Sequence, residues 1–106
     1  GIKGLGLLKT VKRSRHARHL FTVLVNPEKR DSVLHKLQER GIGVAVNYRP
    51  IHLLKYYRET FKYREGDFPV AEDIGKRTIS LPLYPALKEK EVFYVIKTLK
   101  LILGQV

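Results

Sequence analysis

HLFTVLV, residues 19–25, lies at the centre of the chain's most strand-like segment. It is rich in β-branched and aromatic residues, which favour a pleated and buried backbone. Asn26 and Pro27 follow directly and form a turn signal that ends the segment. We therefore predict a largely buried strand here, and we expect it to be the central strand of a sheet.

The next segment has the pattern of an amphipathic helix. Val33, Leu34 and Leu37 fall on one helical face, and Gly41 can take the positive φ that ends many helices. The pattern predicts a helix near residues 30–40. The remaining predicted elements, in chain order, are a strand over residues 43–48, short helices over 55–61 and 69–77, a strand over 79–83 broken by Pro82, and a last helix from Glu89 whose apolar face contains Val92, Phe93, Ile96, Leu99 and Leu103.

This order of elements predicts the α+β class. We expect a small, mostly antiparallel sheet of about three strands, with the helices packed on one face. The length of 106 residues allows one core, and no cysteine is present for disulfides or thiolate chemistry. No apolar run approaches the roughly 20 residues of a membrane span, so we expect a cytoplasmic protein that does not contact a membrane.

The positive charge is concentrated near the N-terminus. The chain has 21 Lys and Arg against 10 Asp and Glu, a formal charge of +11, and six of the cations but no acidic residue lie in the first 18 residues. We predict a basic, irregular lead-in over residues 1–18, with a short strand near 7–11, and a folded domain over residues 19–106. Such a charge attracts polyanions in general and does not identify a specific partner.

Polar side chains cluster where the strand over residues 43–48 is expected to end. Asn47, Tyr48, Arg49 and His52 bring an amide, a phenol, a guanidinium and an imidazole to one small volume, which suits a phosphate or sugar ligand. The alternative is structural, with Tyr48 in the core, Arg49 in solvent and His52 capping a turn.

Two histidines upstream are weaker candidates for the same cleft. His16 and His19 form a His-x-x-His pair, but no cysteine or acidic neighbour completes four metal ligands, so we predict no metal site. No glycine-rich phosphate loop of the dinucleotide or P-loop type occurs in the sequence.

A series of short motifs occurs in order along nearly the whole chain. They are His19, Arg30 and Asp31, Gly41 and Ile42, Tyr48 to His52, Phe68 and Pro69, Ala71 and Glu72, and Ser80 to Leu83. Taken together, these motifs resemble the C-terminal small domain of the pyridoxal-phosphate-dependent nucleotide-sugar aminotransferases, the DegT/StrS family.

The resemblance implies a substrate-side domain of an enzyme that moves an amino group from an amino acid, glutamate being expected, to a keto-sugar nucleotide for cell-surface polysaccharide or related sugar biosynthesis. It implies pyridoxal phosphate (PLP) held by a larger N-terminal domain, with no catalytic residue in this chain, and a homodimer for the complete enzyme. Asn47, Tyr48, Arg49 and His52 match the family's substrate-facing segment. Asn47 stands where histidine is common, and an amide cannot titrate near pH 7, so we expect no proton transfer there.

Two alternatives from other classes remain open at the level of sequence. One is a basic nucleic-acid-binding module, favoured by the net charge and by tyrosines among Lys and Arg, although no base-reading element is evident and we expect no specific nucleic-acid partner. The other is a non-catalytic regulatory or assembly domain derived from the enzyme.

Overall fold

A computed structural model describes residues 1–104 of the chain; the last two residues of the predicted domain, 105 and 106, lie outside the described residues. The elements in chain order are β1 (Gly6–Leu7), β2 (Phe21–Leu24), α1 (Arg30–Gln38), a 3₁₀ helix (Ile51–Leu53), α2 (Lys55–Phe61), α3 (Pro69–Arg77), β3 (Thr78–Leu81) and α4 (Glu89–Ile102). This confirms the predicted α+β class.

Strand β2 is the central strand, as predicted. It pairs antiparallel with β1 on one side and with β3 on the other, and Val23 stands opposite Ile79 in the second pairing. These two side chains lie in one buried cluster with Leu37 of α1 and Leu99 of α4. The core therefore lies between one face of the sheet and the pair of helices α1 and α4.

The predicted strand over residues 43–48 is wrong. Only Ala45 pairs there, as a single bridge to the free edge of β3, in which each N–H of Ala45 and Ser80 donates to the other residue's carbonyl at 3.3 and 2.8 Å. Gly43 and Ala45 offer too little side chain for the cross-strand packing that stabilises a ladder. The segment crosses the sheet edge and continues as a loop.

The third strand comes instead from the lead-in. β1 covers Gly6–Leu7, whereas the predicted strand near residues 7–11 lies too late in the chain. Ile2 and Leu5, just before β1, pack against the core. The boundary at residue 18 stays a prediction, and residues 8–19 are exposed and carry no regular element.

The apolar face of α4 differs from the predicted one at three positions. Leu99 is buried and Val95 packs beside it, but Phe93 is 61% exposed, and Val92 and Ile96 are 39% and 36% exposed. At 100° per residue, Phe93 lies about 120° around the helix from Leu99, which turns it away from the sheet. The remaining predicted helices agree closely, since α2 and α3 have the bounds expected from the sequence.

Candidate functional site

Two pockets lie on either side of Tyr48, in the loop that follows the Ala45 bridge. The polar pocket has a volume of about 210 Å³ and is lined by Leu7, Leu8, His16, Arg18, His19, Leu20, Thr22, Asn47 and Tyr48. The aromatic pocket has a volume of about 600 Å³ and is lined by Tyr48, Arg49, Pro50, Ile51, His52, Tyr57, Phe61, Tyr63, Phe68, Ala71 and Ile74. Tyr48 is the residue that both pockets share.

The polar pocket brings together four of the six predicted site residues, namely His16, His19, Asn47 and Tyr48. These residues come from two separate segments, because the two histidines precede β2 whereas Asn47 and Tyr48 follow the Ala45 bridge. The pocket offers imidazole, amide and phenol groups, which can donate hydrogen bonds to oxygen atoms of an anion or a sugar.

Arg18 also lines the polar pocket, and nothing in the sequence distinguishes it from the other five cations of the lead-in. Its backbone N–H donates to Nδ1 of His16 at 2.8 Å. Because Nδ1 of His16 accepts this bond, the neutral ring carries its proton on Nε2, which is then a donor. The turn at Arg18 therefore sets the tautomer of His16.

Arg49 and His52 do not line the polar pocket. Both line the aromatic pocket, where Arg49 is exposed and His52 is only 6% exposed. The structure therefore places Arg49 and His52 on one side of Tyr48 and the histidine pair on the other. Substrate contact by each of the six residues stays a prediction.

A buried carboxylate, Glu72 of α3, fixes the position of His52. Nε2 of His52 lies 2.8 Å from Oε1 of Glu72, and the N–H groups of Gly66 and Phe68 donate to the same oxygen at 2.9 and 3.4 Å. The hydrogen bond from His52 holds the pKa of Glu72 below its usual value, and burial opposes that shift. Glu72 thus joins the 3₁₀ helix, the turn before α3 and α3 itself through one ionised group.

Glu72 was singled out in the sequence only as part of a motif, and its partner stands twenty residues away. No local pattern predicts an imidazole–carboxylate pair across that separation. Glu72 lies on the same helical face as Gly75, three residues later, and the structure shows that both are buried.

Direct contact with the backbone of α3 fixes the position of Pro50. A Cβ placed on Gly75 would lie 2.6 Å from Cδ and 2.8 Å from Cγ of Pro50, so only glycine allows this approach. Arg30 secures the end of the same helix, because its Nη1 donates to the carbonyl of Gly75 at 3.1 Å. Arg30, one of the residues that carry the family resemblance, therefore has a structural role: it stabilises the helix end against which Pro50 packs.

All lysines of the chain are exposed, Lys55 among them, and no lysine lines any of the four pockets described. A lysine that binds the cofactor covalently needs a desolvated setting that lowers its pKa. Within residues 1–104, no three His, Cys, Asp or Glu side chains are grouped to hold a metal ion, and no helix is long and apolar enough to cross a membrane.

The sheet order, the helices over its face and the loop at its edge define a class of protein. They form the C-terminal small-domain architecture of the fold-type I aminotransferases. Residues 1–100 match the DegT/DnrJ/EryC1/StrS aminotransferase family, and the chain belongs to this family. The resemblance noted in the sequence is thereby confirmed.

Three relatives illustrate the similarity. The spore coat polysaccharide biosynthesis protein SpsC of Bacillus subtilis is 40% identical over 91 residues, which cover 81% of this chain and 23% of SpsC. DesV of S. venezuelae, solved in complex with a ketimine intermediate, superposes with a TM-score of 0.89 at 33% identity over 100% of this chain and 28% of DesV. NtdA of Bacillus subtilis, solved with its bound cofactor PMP, has a TM-score of 0.80 at 28% identity over 97% of this chain and 24% of NtdA.

The chain spans about a quarter of the length of the curated relatives that it matches, 28% of one and 23% of another. It is therefore similar to one part of each relative.

Proposed function

We propose that the chain is the substrate-side small domain of a PLP-dependent sugar aminotransferase. The complete enzyme transfers an amino group from an amino acid, glutamate, to a keto-sugar nucleotide used in polysaccharide or related sugar biosynthesis. It acts in the cytoplasm as a homodimer. The cofactor is bound by a large domain outside this chain, and the chain alone is inactive.

The observation that carries the proposal is the polar pocket of a chain that belongs to a sugar aminotransferase family. His16, His19, Asn47 and Tyr48 converge there from two separate segments, and Arg18 adds a positive charge. Hydrogen-bond donors with an adjacent cation suit the phosphate and hydroxyl oxygens of a nucleotide sugar. The name of SpsC supports a polysaccharide pathway.

The exposure of the lysines supports the proposed inactivity of the chain alone. Each of them is exposed, so none has the surroundings of a cofactor-binding amine. What the chain offers to the reaction is orientation: it holds the distant end of a long substrate while the reacting carbon lies over the cofactor in the large domain.

The test compares the full-length protein that carries this segment with the chain alone. Each is incubated with PLP, glutamate and a panel of keto-sugar nucleotides, and amino-sugar nucleotide is measured by mass spectrometry. We expect product only from the full-length protein. Product from the chain alone, or none from a PLP-loaded full-length protein with any nucleotide sugar, would contradict the proposal.

A further inference from the structure

An apolar groove lies beside α4 and shares no lining residue with the polar or the aromatic pocket. Its volume is about 310 Å³. Three parts of the chain contribute to its walls, namely Ile2 and Leu5 before β1, Leu83 after β3, and Val92 and Ile96 of α4. Every residue of the lining is apolar, so the groove presents no polar side chain to a ligand.

The exposure of α4 shows that this groove lacks a packing partner among the described residues. At 100° per residue, Val92 lies about 20° and Ile96 about 60° around the helix from the buried Leu99. Both side chains therefore turn toward the core, yet Val92 is 39% and Ile96 is 36% exposed. Leu83 in the same lining is 43% exposed. A contiguous apolar surface of this kind is typical of an interaction site.

We propose that the polypeptide directly upstream of Gly1 in the full-length protein fills the apolar groove with the apolar face of a helix. This inference rests on the proposed function, because it assigns a contact to the large domain outside this chain. The matched segments are 28% and 23% of two curated relatives, so a protein of that length has ample further chain to provide the contact. Because Ile2 lines the groove, the residues just before Gly1 start beside it.

The size and shape of the groove favour a helix as its occupant. A cavity of about 150 Å³ holds a ring the size of benzene. The groove, at about 310 Å³, therefore accommodates about two large apolar side chains. Val92 and Ile96 are four residues apart and form one ridge along α4, and a second helix packs its own side chains beside such a ridge. We expect the upstream segment to have large apolar residues three or four positions apart.

Charge and chemistry disfavour the other occupants. Each copy of the chain has a formal charge of +11, so two copies that meet through this face repel each other. A small metabolite would find no polar side chain in the lining to fix its orientation. A segment that is covalently joined beside Ile2 has a high effective concentration at the groove, which neither of these competitors has.

The first measurement determines whether the groove is covered in the full-length protein. Ile96→Cys places a thiol in the groove, and Lys97→Cys is the matched control, because it lies about 160° around α4 from Leu99 and is exposed. Each variant is treated with a thiol reagent, and mass spectrometry follows labelling at the substituted residue. We expect labelling of the Ile96→Cys variant to be at least about tenfold slower at every protein concentration.

The second measurement identifies the segment that covers the groove. Hydrogen–deuterium exchange is followed in the full-length protein with Ile96→Gln, and Lys97→Gln is the control. We expect Ile96→Gln to raise exchange in the peptides directly upstream of Gly1 at least about tenfold, and Lys97→Gln to leave it unchanged. If Ile96→Gln also raises exchange in β2, Ile96→Ala replaces it, with a smaller rise expected in the same upstream peptides.

Equal labelling of the two thiol variants would overturn the inference. Protection that is lost on dilution would also overturn it, because it would assign the groove to a second copy, and so would a rise in exchange confined to another segment. Neither measurement involves PLP or amino transfer. A full-length protein with a protected groove that aminates no keto-sugar nucleotide would refute the proposed function alone, and an active enzyme with equal labelling would refute this inference alone.

Discussion

The two sides of Tyr48 are built in different ways. On the aromatic side, Glu72 and Gly75 of α3 fix His52 and Pro50 through a buried hydrogen bond and a backbone contact. On the polar side, the cation Arg18 lies in an exposed segment without regular structure. The difference teaches that the residues which position the loop are far apart in sequence from those that bring charge to it.

The largest expected effect comes from the contact between Gly75 and Pro50. Gly75→Ala places a methyl group 2.6 Å from Cδ of Pro50, and the ring cannot rotate away. Overpacking of this kind costs about 1–3 kcal/mol, which exceeds the gain of up to about 1 kcal/mol from alanine's helix propensity. We expect a lower free energy of unfolding in urea and shifted NMR signals at Tyr48.

Gly43→Ala is the matched control, because a Cβ there meets no atom within 4 Å and the backbone does not need a positive φ. It should change the free energy of unfolding by no more than about 0.5 kcal/mol. Equal effects of the two substitutions would show that the contact with Pro50 does not position the loop.

The second largest expected effect is a loss of stability at acid pH. The pKa of Glu72 is lowered in the folded state from its ordinary value of 4.5, so the unfolded chain takes up this proton first as the pH falls. The stabilisation is fully present above pH 4.5 and is lost as the pH falls through the folded-state pKa. Glu72→Gln should remove this part of the decrease in the free energy of unfolding at acid pH. Urea unfolding at a series of pH values measures the decrease.

Glu65→Gln is the control for this titration, since Glu65 makes an exposed ion pair with Lys76 at 3.2 Å. In the Glu65→Gln variant, the free energy of unfolding should fall between neutral and acid pH with the same slope as in the wild-type protein. If the free energy of unfolding of the Glu72→Gln variant fell with pH as steeply as that of the wild-type protein, this would contradict the role assigned to the buried pair of His52 and Glu72.

The sequence predicts helices better than it predicts the sheet edges and the site. The bounds of α2 and α3 follow from proline, glycine and aromatic positions that act locally. The edge strand β1 depends on pairing with β2 many residues later, and the segment over residues 43–48 is strand-like in pattern but forms one bridge. Arg18 and Glu72 join the site through long-range packing, for which one sequence contains no signal.

The smallest expected effect on the fold concerns the charged lead-in on the polar side. Lys9, Lys12 and Arg15 are exposed, whereas Ile2 and Leu5 pack against the core, so replacing charges is a cleaner test than deleting the segment. Changing these three cations to Gln should leave stability within about 0.5 kcal/mol. We expect weaker binding to nonspecific RNA, with a log–log salt slope reduced by up to about 2.

The matched control replaces Lys90, Lys97 and Lys100 of α4, which removes the same charge from another surface. Filter-binding measurements at several salt concentrations compare the two triple variants. An equal weakening in both would mean that net charge alone attracts the polyanion, and sequence-selective binding that survives in the lead-in variant would favour a nucleic-acid module.

The central claim is that Tyr48 serves the sugar nucleotide, and single-turnover kinetics of Tyr48→Phe in the full-length protein test it most directly. Loss of one hydrogen bond to a charged phosphate typically costs about 1.5–3 kcal/mol, or roughly 10- to 150-fold in specificity constant. We predict this loss in the half-reaction with the keto-sugar nucleotide, with the half-reaction of the amino donor nearly unchanged and Tyr84→Phe unchanged in both. Equal losses of Tyr48→Phe in the two half-reactions would contradict the account.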